Sequence, residues 1–185
     1  MKILCVFGQH NYGDRSRGTG YEYTNFIPAL RGLGHEIAFF ECWDKTAYRD
    51  FTELNHRFLE VVETERPDVV FCVLMNYEIW LETLELARRG SQAAFIHWST
   101  DDSWRYEQFS RFIAPAFDLY ATTYHSALEK AKRDGYENFE LTQWAANSDA
   151  MNEPMPADQC RYRVSFIGTA YGNRIRWIEK LRKNE

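Results

Sequence analysis

The stretch of the sequence best suited to chemistry is the run His-Trp-Ser-Thr-Asp-Asp at positions 97–102. It overlaps the end of the apolar segment 93–98, which we predict to be a buried strand. Ligands of parallel α/β sheets bind beyond the carboxyl ends of the strands, so a carboxylate here could act as a general base. The competing interpretation is that Asp101 or Asp102 caps the next helix. We expect one of the two to cap that helix and the other to be open to function.

A second candidate lies in the polar loop 8–20, after the first predicted strand. Gly18 and Gly20 allow the backbone to approach a ligand closely, and the helix that follows could hold an anion at its N-terminus. A dinucleotide fingerprint would need glycine where Tyr23 stands, although Glu41 lies at the right distance for an acid that binds ribose. A P-loop is excluded, because no Gly-Lys-Ser or Gly-Lys-Thr follows. The alternative is a mobile surface loop without a ligand.

The third candidate is the run 164–174, near the end of the sequence. A strand at 164–167, a turn at Gly168 and the start of a helix would form an element that binds phosphate, and Arg174 could add a bidentate contact. The alternative is one more β–α unit of the same sheet. Segment 152–158 contains two prolines and no hydrophobic periodicity, which favours a linker followed by a new domain.

The elements that must position these residues alternate between apolar strands and amphipathic helices. A capping box at 126–129 predicts the start of one helix. Alternating strands and helices form βαβ units with right-handed crossovers. The sequence therefore predicts an α/β fold, a doubly wound and mostly parallel Rossmann-like sheet with helices on both faces. The predicted strands of this sheet are residues 2–7, 36–40, 68–75, 93–98, 119–123 and 139–143.

Composition and charge narrow the classes of function. The formal net charge is −5 and no basic stripe is visible, which argues against a nucleic-acid-binding surface. The four cysteines form no Cys-x-x-Cys pair and no zinc-like spacing with histidine, so we predict no metal site and a reducing, cytoplasmic location. No apolar run approaches ~18 residues, so we expect neither a secretion signal nor a membrane span. The aromatic content of 16% gives mild support to a cleft in which sugars stack.

Motifs in a fixed order resemble one family. HWSTDD at 97–102, an aromatic helix and FDLYATTY at 117–124 resemble the CgeB-like branch of the GT-B glycosyltransferases, named for spore-maturation proteins. QWAAN at 143–147, a proline-bearing linker and VSFIGTAYGNR at 164–174 resemble the crossing of that branch into its second domain. RGLGHEI at 31–37 resembles the helix-to-strand junction of GT-B N-terminal domains in general. The resemblance covers nearly the whole chain.

The resemblance implies a transferase that moves a sugar from a nucleotide-diphosphate donor to an acceptor hydroxyl, without a metal or other cofactor. It implies that residues 1–150 form the acceptor-side domain, 151–162 the linker and 163–185 the truncated start of the donor-binding domain. The partners would be a nucleotide sugar, a glycosyl acceptor and the rest of the C-terminal domain, in cis or in trans. Such a chain should be a poor enzyme alone, because the diphosphate needs groups from both sides.

Roles for individual residues follow from the same resemblance. Asp101 or Asp102, with His97 behind them, would deprotonate the acceptor hydroxyl. Two alternatives stay open: a non-catalytic binding module of the same fold, and a nucleotide-dependent oxidoreductase or methyltransferase with Glu41 on the ribose. The predicted substrate contacts are His10, Gly18, Gly20, Trp98 and Tyr124, and the predicted contacts to the donor diphosphate are Gly168, Thr169 and Arg174.

Overall fold

A computed structural model describes residues 1–145, 152–162, 164–168 and 172–182. The chain divides into two compact units, Met1–Ala145 and Ala146–Glu185. The domain boundary predicted at residue 150 lies a few residues after the end of the first unit.

The first unit is built on six parallel strands. Their order in the sheet is β2-β1-β3-β4-β5-β6, and every neighbouring pair is parallel. The chain moves one way from β1 to β2 and then crosses back to β3, so the gap between β1 and β3 is the topological switch point. The predicted doubly wound, Rossmann-like α/β fold is confirmed, and the described strands are parallel throughout. The strands are β1 (Lys2–Phe7), β2 (Glu36–Glu41), β3 (Val69–Cys72), β4 (Ala94–Ser99), β5 (Leu119–Thr122) and β6 (Phe139–Leu141).

Helices connect the strands on both faces of this sheet. Phe39 and Phe71 both stand opposite Cys5 in register, so they point to the same face, and Phe26 of the first helix packs on Phe71 there. Phe40 points to the other face, where it meets Phe58 of the second helix. The helices of this unit are α1 (Tyr21–Gly32), α2 (Phe51–Glu65), α3 (Leu81–Gly90), α4 (Asp102–Arg105), α5 (Arg111–Ile113) and α6 (His125–Arg133), with a π-helical turn at Tyr106–Ser110 and a 3-10 turn at Ala114–Ala116.

The centre of the core is β1. Its residues from Ile3 to Phe7 are at most 5% exposed, as expected for a parallel strand that is covered on both faces. Burying each large apolar side chain such as Leu4 or Phe7 contributes ~1.5–3 kcal/mol to folding. This strand therefore anchors the loop that follows it, next to the switch point.

Several predicted element ends in this unit are wrong, among them that of the sixth strand, which ends at Leu141 rather than at residue 143. The third strand ends at Cys72 rather than at residue 75, because the amide of Val73 makes the last bond to β1, at 3.0 Å to the carbonyl of Val6, and the amide of Leu74 donates to the His97 side chain instead. The capping box at 126–129 does not start a helix, since α6 already begins at His125 and no side chain caps it. The hydroxyl of Thr122 accepts the amide of Tyr124 at 3.3 Å, which turns the chain before Ser126 is reached.

The second unit contains a 3-10 turn at Ala157–Gln159 and one helix, α7 (Arg174–Arg182), among its described residues. The strand predicted at 164–167 is wrong, because residues 164–168 form no strand. Val164 and Ile167 are 78% and 97% exposed. A strand needs a neighbour to share its ladder of hydrogen bonds, and no strand occurs among the described residues of this unit. Within the described ranges of the whole chain, no helix has the length and apolar character needed to cross a membrane.

Candidate functional site

A cavity of about 780 Å³ opens in the first unit at the carboxyl ends of β1, β3 and β4. Residues 11–12 and 21–22 line it after β1, residues 73–77 line it after β3, and Thr100 and Asp101 line it directly after β4. Its volume falls in the range of ~300–1,000 Å³ typical of ligand sites, and its position is the switch point at which ligands of this fold bind. We treat this cavity as the candidate functional site.

A π-helical turn shapes one side of the cavity. Trp104, Arg105, Gln108 and Phe109 all line the cavity, and the last two lie within the π turn Tyr106–Ser110. In such a wide turn, side chains four or five residues apart lie on the same face. The segment therefore presents two pairs, Trp104 with Gln108 and Arg105 with Phe109, to the cavity. Short π segments inside helices are frequent at functional sites.

Aromatic rings stand at the cavity in contacting pairs. The ring of Tyr21 meets that of Trp144 at 5.9 Å in an edge-to-face arrangement, and Tyr21 Oη donates to the carbonyl of Ala145 at 3.2 Å. Tyr77 meets Phe109 edge to face at 5.0 Å. These contacts hold the rings in place without covering them, since Tyr77 is 40% exposed and Trp144 is 49% exposed.

Tyr12 lines the same cavity in a strained backbone conformation. Its φ is 57°, in the left-handed region that residues other than glycine seldom occupy. Its ring is 68% exposed, with the guanidinium of Arg17 5.4 Å from the ring centroid. Strained residues of this kind cluster at ligand sites, which adds an independent reason to place function here.

Arg105 is the one cationic side chain among the described residues that line the cavity, and its guanidinium already makes contacts within the protein. It is 7% exposed, it donates from Nη2 to the carbonyl of Met75, and its guanidinium lies 4.2 Å from the ring centroid of Phe109. These contacts tie the segment after β4 to the loop after β3. We therefore interpret Arg105 as a residue that stabilises the cavity wall, and not as a charge that is available to a ligand.

Glu22 is a cavity residue that the sequence reasoning missed. It lies in the first turn of α1 and lines the cavity beside Tyr21. Burial raises the pKa of its carboxyl above the ordinary value. A carboxylate with a raised pKa holds a proton more strongly, which suits a general base. The available signal was its place at the start of the first helix, because that helix begins at the carboxyl edge of a parallel sheet.

Asp101 and Asp102 have opposite environments. Asp101 is exposed and lines the cavity, and it occupies the N-cap position of α4 without a capping bond from its side chain. Asp102 is 1% exposed, and its Oδ1 accepts hydrogen bonds from the hydroxyls of Ser99 and Ser110, and from Tyr120 at 3.4 Å. We call Asp102 and these three hydrogen-bond donors the buried carboxylate cluster. Neither side chain caps the helix, so the expectation that one of them would do so is wrong.

His97 lies inside the protein, next to this cluster. Its Nε2 accepts the amide of Leu74 at 3.2 Å, and its ring stacks on Tyr120 with centroids 4.7 Å apart. Burial, and to a smaller extent the charge of Arg105, lowers the pKa of His97 to about 3. Its neutral ring fastens β4 to the loop after β3, and the residues that line the cavity do not include it.

Trp43 packs directly against Gly8, at the start of the first loop. A Cβ on Gly8 would lie 2.3 Å from Cε3 of the Trp43 ring, so the glycine is needed by the indole itself. Both carboxylate oxygens of Glu41 are used by backbone amides, Oε2 by Gln9 at 2.6 Å and Oε1 by Trp43 at 2.8 Å. These contacts join the loops after β1 and β2, and they do not favour the alternative in which Glu41 holds a ribose.

The other predicted substrate contacts do not line the cavity. The amide of Gly20 donates to the carbonyl of Gln9 at 2.7 Å, and Gly20 is the N-cap residue of α1. Trp98 packs between Phe26 and the lining residue Trp144. The five residues concerned are His10, Gly18, Gly20, Trp98 and Tyr124, none of which is among the residues that line the cavity in the first unit.

The predicted diphosphate contacts lie in the second unit. Arg174 begins α7, and its Nη1 lies 3.4 Å from the position that a Cβ on Gly168 would occupy. The guanidinium also lies 5.9 Å from the ring centroid of Phe166. Gly168 and Arg174 are thus brought together, while Thr169 lies outside the described residues.

Comparison with known proteins identifies no family. No protein-family model matches the chain, and no curated protein matches it significantly. Within the residues that the structure describes, no group of three or more histidine, cysteine, aspartate or glutamate side chains is placed to hold a metal ion.

Proposed function

We propose that residues 1–145 form the acceptor-binding side of a glycosyltransferase of the GT-B kind, which transfers a sugar from a nucleotide-diphosphate donor to an acceptor hydroxyl. The observation that carries the proposal is the cavity at the switch point, which is lined by the carboxylates of Asp101 and Glu22 together with aromatic rings. The resemblance of the motifs at 97–102 and 117–124 to the CgeB-like branch supports the same function.

The two carboxylates are the candidate general bases of this reaction. In the proposed sugar transfer a base takes the proton of the acceptor hydroxyl, the hydroxyl oxygen forms the new bond to the sugar, and the nucleoside diphosphate leaves with the electron pair of the bond that breaks. Asp101 is exposed at the cavity, and Glu22 combines a place on the cavity with a raised pKa. Asp102 and His97 act as scaffold in this proposal, because both are fully enclosed in the core.

The charge of the cavity suits an acceptor better than a diphosphate. Its lining carries two carboxylates against one guanidinium, and that guanidinium is already bonded to the Met75 carbonyl. We assign the diphosphate contacts to Gly168, Thr169 and Arg174, with a C-terminal domain in cis or in trans. An arginine beside a glycine turn is a usual way of binding phosphate oxygens.

Calorimetric titration with UDP, GDP, UDP-glucose and GDP-mannose tests this proposal. The titration is made on residues 1–185 and on a version extended through a complete second domain. We expect nucleotide binding in the extended version and, with an acceptor present, consumption of the nucleotide sugar. Arg174→Ala should weaken donor binding, whereas the exposed Arg176→Ala in the same helix serves as the control.

Absence of nucleotide binding in both versions would overturn the transferase and favour the non-catalytic binding module. Binding of NAD or S-adenosylmethionine by the first unit, detected as a thermal shift, would instead favour the nucleotide-dependent alternative.

A further inference from the structure

The rings at the cavity are more exposed than an ordinary core residue would be. Trp104 is 64% exposed, Tyr12 is 68% exposed and Tyr21 is 45% exposed, and all three line the same opening. Aromatic rings are large apolar surfaces that a protein normally buries. Their concentration at one opening therefore indicates a ligand with flat apolar faces.

Other rings at the cavity are held in place by contacts with neighbouring rings. Trp144 is held between Tyr21 at 5.9 Å and Trp98 at 6.4 Å, and Tyr77 is held against Phe109. Rings that are already ordered lose little conformational entropy on binding. The site is thus prepared for stacking rather than for a collapse around a flexible chain.

Planar polar groups line the same cavity as the rings. Asp101 and Glu22 supply carboxylates, and Asn76 and Gln108 supply side-chain amides. A carboxylate accepts hydrogen bonds, and an amide both accepts and donates them. Such groups pair with neighbouring hydroxyls of a pyranose ring, while the C–H face of that ring covers an aromatic side chain.

The negative charge of the cavity lining disfavours acidic ligands, although their rings could also stack on the aromatic side chains. A nucleotide, an acidic saccharide or a phosphorylated lipid would bring negative charge to a lining in which carboxylates outnumber guanidinium groups. Like charges at short distance are unfavourable where water is partly excluded. An uncharged ligand with many hydroxyls and apolar ring faces satisfies both the rings and the polar groups.

We infer that the cavity binds an uncharged saccharide longer than one ring, which stacks on Trp104 and bonds through its hydroxyls to Asp101 and Gln108. The cavity volume of about 780 Å³ leaves room for more than a single pyranose ring. The role of this saccharide as the acceptor rests on the proposed function, but its binding requires no donor. It can therefore be measured on residues 1–185.

The test titrates residues 1–185 with maltohexaose, cellohexaose and N-acetylchitohexaose, followed by tryptophan fluorescence and calorimetry. Hexagalacturonate is the acidic comparison. We expect at least one neutral hexasaccharide to bind and the acidic one to bind at least about tenfold more weakly, which corresponds to about 1.4 kcal/mol. Trp104→Ala should weaken binding by about tenfold, since one stacking partner is lost.

Trp80→Ala is the matched control, because Trp80 is 39% exposed and does not line the cavity. Its affinity should stay within about twofold of the unaltered protein, which is below ~0.5 kcal/mol. The inference is overturned when none of the neutral hexasaccharides binds, or when the two tryptophan variants have equal effects. Saccharide binding without nucleotide binding in the extended protein would reject the transferase alone, and the reverse result would reject this inference alone.

Discussion

Asp101 and Asp102 are adjacent in the sequence but belong to different parts of the molecule. Asp101 is exposed at the cavity, whereas Asp102 is 1% exposed within the buried carboxylate cluster. The chain changes from strand to helix between them, and the backbone of Asp101 has φ −137° and ψ 30°, which is not helical. A single peptide step therefore separates a carboxylate that can meet a ligand from one that holds the scaffold. The polar run 97–102 contains both kinds of residue, and only burial distinguishes them.

The largest expected effect is that of removing the carboxylate of Asp102. Asp102→Ala leaves the hydroxyls of Ser99, Ser110 and Tyr120 without the acceptor that they share. Each buried polar group left without a partner costs ~1–3 kcal/mol, so we expect a loss of about 4 kcal/mol in the free energy of unfolding. Urea denaturation followed by circular dichroism measures it.

The control for this variant is Asp102→Asn, which keeps an acceptor oxygen and should cost less. A loss below ~0.5 kcal/mol in Asp102→Ala, within the range of ordinary surface changes, would show that the cluster does not support the fold.

His97 tests the difference between buried and exposed residues of the run 97–102 through the pH dependence of stability. Its pKa falls from an ordinary 6.5 to about 3 in the folded protein, so between these values the unfolded chain binds more protons than the folded one. Stability should therefore rise with pH across this window, with a contribution from His97 of up to ~1.4 kcal/mol per pH unit. Denaturation at several pH values between 3.5 and 6.5 measures the slope.

His97→Gln keeps an acceptor for the Leu74 amide but removes the titration, so its slope should be smaller. His56→Gln, at an exposed position of α2, should leave the slope unchanged. Equal slopes in all three proteins would mean that His97 titrates normally and is not enclosed.

A smaller effect on the free energy of unfolding is expected at Glu22, where removal of the charge should stabilise the protein rather than destabilise it. Burial raises its folded pKa above the ordinary value of 4.5, so the charged form is disfavoured in the folded state and lowers stability at neutral pH. Glu22→Gln should then stabilise the protein at pH 7, and the gain should disappear as the pH falls well below 4.5, where the carboxyl is protonated in both states; urea denaturation at the two pH values measures it.

Glu82→Gln is the matched control, because Glu82 is an exposed glutamate in the first turn of α3. It should lose a few tenths of a kcal/mol, since its charge favours the helix dipole. A destabilised Glu22→Gln would show that Glu22 is a structural residue with a partner rather than a strained carboxylate at a ligand site.

The fold could be predicted because its signals are local. Apolar runs such as 2–7 and 93–98 are buried strands wherever a parallel sheet forms, and glycine or proline ends the helices between them. The run 164–167 has the same apolar character, yet it forms no strand, because strand formation depends on a neighbour elsewhere in the chain. The apolar composition of a run does not show whether another strand is placed to pair with it.

The cavity could be predicted only in part. Asp101 was found because the end of a parallel strand is a general position for ligands. Glu22 was missed although the start of α1 at the carboxyl edge of the sheet was a usable signal, whereas Trp144 was missed because it reaches the cavity only through tertiary packing against Tyr21. The π turn at Tyr106–Ser110 carries no sequence signature that separates it from an ordinary helix, and it decides which side chains face the cavity.

The smallest effect on stability and the clearest effect on function should coincide at Asp101. Its side chain makes no capping bond, so Asp101→Asn should change the free energy of unfolding by no more than ~0.5 kcal/mol. If it takes the acceptor proton, the same change should lower turnover of the extended protein by about 10²–10⁴-fold, because an amide cannot accept that proton. Turnover is measured as release of the nucleotide diphosphate, with Glu22→Gln assayed in parallel. A full loss in Glu22→Gln and none in Asp101→Asn would move the base to α1, and unchanged turnover in both would remove the base from this cavity.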